Sequence, residues 1–128
     1  MKSIKVFCPG SVANISCGFD ILGLCLDNVG DEIIVTQTKK KGIELEVFGD
    51  YVVTKNINKN AASVSALALL KSFKNIDFGF HISVNKKIKP GSGIGSSAAS
   101  SAGSVFAINE LLKRPFTNKE LIPFAAEG

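Results

Sequence analysis

Residues 90–103 read PGSGIGSSAASSAG, a stretch built almost entirely from glycine, serine and alanine. Three glycines in alternate positions open it, so backbone N–H groups can approach a bound anion without obstruction by side chains. The apolar spacing that follows predicts a helix over residues 97–113, ended by Pro115. A helix that begins right after such a loop directs its unpaired N–H groups and its positive dipole end at the loop. The stretch therefore predicts an anion-binding site of the kind that holds phosphate groups.

The spacing of this loop excludes two well-known phosphate motifs. It lacks the third-glycine offset of the dinucleotide-binding fingerprint, and no Gly-Lys-Ser or Gly-Lys-Thr closes it as in a Walker A motif. A second interpretation stays open from the residues alone. The loop would then be a flexible turn whose small residues allow close helix packing, and the AASSAG run over residues 98–103 favours that in part.

Upstream of the loop, β-rich runs predict strands. A first strand is expected over Ser3 to Cys8, running into a loop at Pro9-Gly10. Two further runs, Glu32 to Thr38 and Ile43 to Phe48, are separated by a charged KKKG turn, and we expect them to pair as a hairpin. Another strand is expected over Phe78 to Val84.

Helical spacing appears on both sides of the loop. An apolar repeat of about 3.6 residues begins after Asn60 and predicts a helix that ends near Phe73. Near the C-terminus, Thr117 and Glu120 have the spacing of a capping box and predict another helix. The order β-rich, helix, strand, loop, helix, helix predicts an α+β fold in one domain, residues 1–128, with a mixed sheet covered by helices on one face.

The composition is that of a globular chain, with 45% hydrophobic and 20% charged residues. Fifteen basic and eleven acidic side chains give a net charge of +4, a mild excess that is suited to a nucleotide or another polyanion but also common in ordinary proteins. Only one basic residue is an arginine, and no basic run is interleaved with aromatic residues. These features argue against a nucleic-acid partner.

The cysteines and the apolar runs point to a cytoplasmic protein. The three cysteines are odd in number and lack the paired spacing and histidine partners of a zinc site, so we expect reduced thiols at Cys8, Cys17 and Cys25. No signal peptide is evident, and the uncharged stretch over residues 91–109 is too polar to span a membrane.

Two longer motifs resemble one protein family. Residues 90–99, PGSGIGSSAA, are similar to the central motif of the GHMP kinases, which phosphorylate small molecules with ATP. At the front, CPGSVAN over residues 8–14 and GFDILG over residues 18–23 resemble the opening segment of the homoserine kinase branch. The mevalonate kinase and galactokinase branches usually carry a Gly-Glu-His type signature there. The resemblance extends to AINELL over residues 107–112.

This resemblance implies the N-terminal ATP-binding domain of such a kinase, with a two-layer fold shared with ribosomal proteins. We expect a C-terminal domain to be missing from residues 1–128, and this piece alone to be inactive or nearly so. The implied reaction moves the γ-phosphoryl group of ATP to the side-chain hydroxyl of L-homoserine, giving O-phospho-L-homoserine in threonine biosynthesis. A homodimer of the full-length form stays open.

The resemblance also implies roles for the acceptor-binding residues, Asn14 and Asp20. A carboxylate such as that of Asp20 can pair with the ammonium group of homoserine, while the amide of Asn14 orients a polar group. Stabilisation of a local turn, common for Asn and Asp next to Gly, is the alternative for both. No residue is assigned as a catalytic base.

ATP and Mg²⁺ are the implied cofactors. Ser97 matches a family serine near magnesium, and Asn60 and Lys86 match positions near adenine and ribose, although a polar residue at a helix start and one of many lysines are the favoured explanation for these two. The residues expected to bind ATP are Pro90, Gly91, Ser92, Gly93, Ile94, Gly95, Ser96, Ser97, Ala98, Ala99, Asn60 and Lys86.

Other polar residues receive no functional role. His81, the sole histidine, lies in a strand pattern with no nucleophile at a meaningful spacing, so a structural role is expected. Asp31, Glu32 and Asp50 have the positions of strand-end or turn residues. Two rival functions remain: a GHMP kinase with another acceptor alcohol, and a non-catalytic RNA-binding module of similar fold.

Overall fold

The computed structural model describes the backbone of residues 2–12, 24–74, 76–89 and 96–128, and the side chains of residues 2–9, 30–74, 76–89 and 97–128. Within these ranges the chain forms four strands and three helices. They are β1 (Ser3–Val12), β2 (Leu24–Thr38), β3 (Gly42–Gly49), α1 (Ala61–Leu70), β4 (Gly79–Lys86), α2 (Ser96–Leu111) and α3 (Asn118–Ala126). The expected α+β class with a mixed sheet is confirmed.

The sheet has the strand order β1-β2-β4-β3. β1 pairs with β2 and β2 pairs with β4 in antiparallel fashion, whereas β3 and β4 are parallel. The predicted hairpin of residues 32–38 with residues 43–48 is therefore wrong, because β4 lies between β2 and β3. The connection from β3 to β4 passes through α1, which is the usual way to join parallel neighbours.

A glycine at the start of β4 explains how this strand enters between the other two. A Cβ atom at Gly79 would overlap the carbonyl oxygens of Lys40 and Gly42 in the turn between β2 and β3. The turn therefore bends directly over β4. Further along β4, Phe80, Ile82 and Val84 are essentially inaccessible to solvent, which fits a strand that is hydrogen-bonded on both edges.

β1 is longer than the sequence pattern predicts. It continues through Pro9 and Gly10 to Val12, with an irregularity in register between Pro9 and Ser11. Proline is tolerated there because β1 is an edge strand, and edge positions do not all need an N–H donor. Its continuation pairs with the first residues of β2, so that Val12 lies opposite Leu24.

Helices α1 and α2 pack closely through small side chains. The hydroxyls of Ser65 and Ser104 are 2.8 Å apart, and Ser104 also donates to the carbonyl oxygen of Ala62 at 2.8 Å. These buried hydroxyls satisfy each other and the helix backbones, as buried polar groups must. The interpretation of the small residues as packing residues thus holds for the face of α2 that meets α1.

The capping box predicted for α3 is present. The N–H of Glu120 donates to the Thr117 hydroxyl at 3.2 Å, and the N–H of Thr117 donates to the Glu120 carboxylate at 2.9 Å. The backbone N–H of Thr117 and, to a smaller extent, its hydroxyl donate hydrogen bonds to the Glu120 carboxylate, and these bonds lower the pKa of Glu120. Leu121 is the buried residue of this helix, which packs on α1 and α2.

Close approach of α2 to β1 depends on Gly103. A Cβ atom here would overlap the Cys8 sulfur and lie 3.0 Å from Cδ1 of Ile33. Burial, with a smaller contribution from the Asp31 carboxylate, raises the pKa of the Cys8 thiol to about 12. Cys8 is therefore a packing residue with little thiolate character.

We expect Gly103→Ala to lower the free energy of unfolding by about 2 kcal/mol, because the new methyl group overpacks the contact with Cys8. Denaturant unfolding checks this. The Cys8→Ala/Gly103→Ala double variant should be more stable than Gly103→Ala alone, since removal of the sulfur makes room for the methyl. A double variant whose loss equals the sum of the two single losses would contradict this contact.

Candidate active site

The described residues that were predicted to bind ATP lie at one end of the domain. Two hydrogen bonds join α1 and α2: the Ser101 hydroxyl donates to the Ala61 carbonyl at 3.4 Å, and the Ser104 hydroxyl donates to the Ala62 carbonyl at 2.8 Å. The later residue of α2 thus contacts the later residue of α1. The two helices therefore run in the same direction, and α1 begins beside the second turn of α2. The last residue of β4, Lys86, reaches the same end, because its ammonium group donates to Ser100 of α2 at 3.1 Å.

The first turn of α2 has exposed side chains among the described residues and carries no acidic residue of its own. Ser97 and Ala98 are exposed there, whereas Ala99 and Ser100 are buried. No acidic residue occupies its first turn, and the first charged residue of α2 is Glu110. The first N–H groups of a helix have no partner within the helix, and its dipole adds positive potential at that end. This end of α2 can therefore receive an anion with no carboxylate of its own to repel it.

Beneath this helix end lies a buried ion pair between Lys86 and Asp31. The two side chains are 3% and 0% exposed, so the Lys86 ammonium points into the protein toward Asp31 and Ser100. The same carboxylate accepts hydrogen bonds from the N–H groups of Lys87, at 2.6 Å, and Ile88, at 2.8 Å. Charge-assisted bonds of this kind are the stronger ones in proteins.

Asn60 holds the start of α1 as its N-cap. Its side-chain oxygen accepts from the N–H of Ala62 at 2.9 Å, and its amide nitrogen donates to the carbonyl of Thr54 at 2.8 Å. The side chain is only 5% exposed. Both polar atoms of its side chain are thus bonded to the backbone.

Several predicted site residues lie outside the described part of the chain. They are Asn14, Asp20, the loop residues Pro90 to Gly95, and the side chain of Ser96. Their roles remain predictions. Among the described residues, Ser97, Ala98 and Ala99 begin α2, and His81 is half-buried in β4 at a position that alternates with the core residues Phe80 and Ile82.

Sequence reasoning gave Asp31 no role, yet it is completely buried. Strand alternation carried the signal, because Asp31 shares its face of β2 with the buried residues Ile33 and Val35. Likewise, Lys86 shares its face of β4 with Ile82 and Val84. An acid and a base at core positions of two paired strands predict a buried ion pair.

An apolar cavity of about 510 Å³ adjoins the exposed side of α2. β1, α2 and α3 enclose it, and its lining includes Phe7, Pro9, Ala98, Ala102, Phe106 and Ile122. Among the residues that the structure describes, no charged side chain lines it, so this part of its wall offers no charged group to a triphosphate.

In the part of the chain that the structure describes, no three His, Cys, Asp or Glu residues cluster in a way that could hold a metal ion. No helix in these ranges combines the length and apolar character needed to cross a membrane.

Comparison with known proteins assigns the family. Residues 53–128 match the family model described as the GHMP kinases N terminal domain. This chain belongs to the GHMP kinase family. The predicted family resemblance is confirmed.

Similar proteins narrow the likeness further. Over its whole length the chain is 43% identical to a homoserine kinase of Methanococcus maripaludis (strain C5), of which it spans 42%, and 39% identical to one of Chlorobium phaeobacteroides (strain BS1), of which it spans 43%. The chain thus spans less than half the length of these relatives.

Solved structures agree with this likeness. The crystal structure of a homoserine kinase from Cytophaga hutchinsonii matches 98% of this chain with a TM-score of 0.90 and 45% identity, and the chain covers 40% of it. The mevalonate kinase of Methanococcus jannaschii matches 97% of the chain with a TM-score of 0.69 at 18% identity, and the chain covers 45% of it, which shows a shared fold alone.

Proposed function

We propose that residues 1–128 form the N-terminal ATP-binding domain of a homoserine kinase. The complete protein would move the γ-phosphoryl group of ATP to the side-chain hydroxyl of L-homoserine, in the cytoplasm and as a step of threonine biosynthesis. The observation that carries the proposal is the TM-score of 0.90 at 45% identity to a homoserine kinase over 98% of this chain.

The start of α2 supports the binding of the triphosphate. Its first N–H groups and its dipole offer positive potential, and the absence of acidic residues from its first turn leaves that potential unopposed. During transfer, the bond between the γ-phosphorus and the oxygen that bridges to the β-phosphate would break, so that ADP leaves. A bond from the γ-phosphorus to the homoserine oxygen would form, and the hydroxyl proton would pass to water. Such an enzyme accelerates the reaction mainly in two ways. It stabilises the charge on the γ-phosphoryl oxygens, and it positions the two substrates in line.

Ser97 fits a role as a ligand of Mg²⁺. Its exposed hydroxyl lies in the first turn of α2, and Mg²⁺ prefers oxygen ligands and keeps several waters and phosphate oxygens around itself. The Ser97 hydroxyl would supply one oxygen ligand beside the phosphate oxygens and waters. When bound, the ion would neutralise charge on the phosphates.

Asn14 and Asp20 are the proposed contacts to the acceptor. A carboxylate at residue 20 would pair with the homoserine ammonium group, and an amide at residue 14 would orient its polar groups. An alcohol without an ammonium group would leave this carboxylate unpaired in the complex, so such an alcohol should bind and react much less well.

The acceptor assignment is tested by ADP formation in the full-length protein with L-homoserine, mevalonate and galactose. L-Homoserine should give the highest kcat/KM, by on the order of a thousandfold, because sites built around a polar substrate group reject analogues that lack it. A higher kcat/KM for another alcohol would identify a different GHMP kinase. Salt-sensitive RNA binding without ATP turnover would instead favour an RNA-binding module.

The role of Ser97 is tested by Ser97→Ala in the full-length protein. We expect magnesium-dependent turnover to fall by roughly tenfold to a hundredfold, as for the loss of a group that supports a bound metal, whereas stability should change by no more than about 0.5 kcal/mol because the side chain is exposed. Ser3→Ala, at an exposed serine of β1, is the control. An unchanged rate would remove Ser97 from the site.

A further inference from the structure

The buried ion pair of Lys86 and Asp31 joins three elements at one point. Asp31 belongs to β2 and Lys86 ends β4, and the Lys86 ammonium also donates to the Ser100 hydroxyl of α2 at 3.1 Å. The Asp31 carboxylate in turn holds the N–H groups of Lys87 and Ile88, at 2.6 and 2.8 Å. We call these groups, from Asp31, Lys86, Lys87, Ile88 and Ser100, the carboxylate cluster.

The carboxylate cluster binds the chain on both sides of residues 90–95, which we call the glycine-rich segment. Ile88, fully buried, is the last residue before that segment to bond to Asp31. Ser100 lies in the second turn of α2, just after the segment ends. The same pair of charges therefore sets where the chain leaves β4 and where α2 begins.

Stability alone does not account for a charged pair in this position. Removing two charges from water is expensive, and an apolar pair of the same volume is often as stable or more stable. Val84 and Ile33 are buried next to it in the same strands, so apolar side chains would have apolar neighbours within the sheet. What an apolar pair lacks is direction, because only hydrogen bonds can fix the two amides and the Ser100 hydroxyl at set angles.

Direct attraction of phosphate by Lys86 does not account for it either. The ammonium is 3% exposed and lies against a carboxylate of opposite charge, so the pair has no net charge to offer a ligand. Its effect on a bound anion must pass through the groups that it positions.

We propose that Asp31 and Lys86 are positioning residues of the nucleotide site. They fix the start of α2 against the end of β4, so that the N–H groups of α2 meet the triphosphate in one geometry. The inference rests on the proposed ATP-binding function, and it gives Lys86 an indirect role through Ser100.

The test is a double variant of the full-length protein, Asp31→Asn/Lys86→Met, which removes both charges without leaving either one unpaired. Asn at position 31 keeps an oxygen for the Lys87 and Ile88 amides, and Met at position 86 keeps most of the lysine volume, but the bond to Ser100 is lost. The dissociation constant of MgATP, measured by calorimetry without an acceptor, should rise about tenfold or more. The free energy of unfolding should fall by about 1 to 3 kcal/mol, because the amide nitrogen of the new Asn side chain is buried without an acceptor, and the protein should remain folded.

Lys5→Met is the matched control. It breaks the exposed ion pair between Lys5 and Glu32, whose charged atoms are 2.9 Å apart. Glu32 follows Asp31 on β2. Exposed pairs contribute little, so its MgATP affinity should stay within about twofold of the parent. The KM for homoserine should move less than the KM for ATP in the double variant.

Parent-like MgATP affinity in the double variant would overturn the inference. A double variant that does not fold would also overturn it, because the pair would then be a requirement of the fold. A parent protein that binds MgATP but does not phosphorylate homoserine would contradict only the proposed acceptor, because the calorimetry is done without an acceptor. A parent that does not bind MgATP contradicts the proposed function itself and the inference with it.

Discussion

The Asp31 carboxylate has no exposed surface, so its hydrogen bonds must come from the protein. The Lys86 ammonium and the N–H groups of Lys87 and Ile88 supply them. Loss of these donors would leave a buried charge, at a cost of roughly 3 to 5 kcal/mol. The chain must therefore leave β4 with two successive amides turned toward β2, and this requirement fixes the direction of the chain at residues 87–89.

The remaining contacts of α2 complete this arrangement. Gly103 allows the helix to touch Cys8 of β1, and the hydroxyls of Ser101 and Ser104 join it to α1. The helix is thus held along its buried side while its first turn stays open, with Ser97 exposed. A reaction that depends on positioning and on electrostatic stabilisation requires this combination of a fixed helix and an accessible positive end. The fold of the GHMP kinase family provides both in this chain.

Local patterns predicted the element types, and longer-range pairing did not follow from them. Alternation gave the strands and a capping-box spacing gave α3, because these signals lie within a few residues. The hairpin of β2 with β3 was wrong because the insertion of β4 depends on contacts distant in sequence, including the fit of Gly79 against the preceding turn. Asp31 was overlooked although its alternation with Ile33 was readable. Asn14 and Asp20 stay predictions, based on a family motif.

Hydrogen–deuterium exchange of the full-length protein, with and without MgATP, tests most directly whether the nucleotide binds at this end of the domain. Binding should slow exchange at the N–H groups that begin α2, residues 96–100, and at Lys87 and Ile88, because the ligand would occupy the first set and steady the second. Exchange along the β3 edge, residues 42–46, should not change. Protection confined to other parts of the chain, with none at the start of α2, would contradict the account.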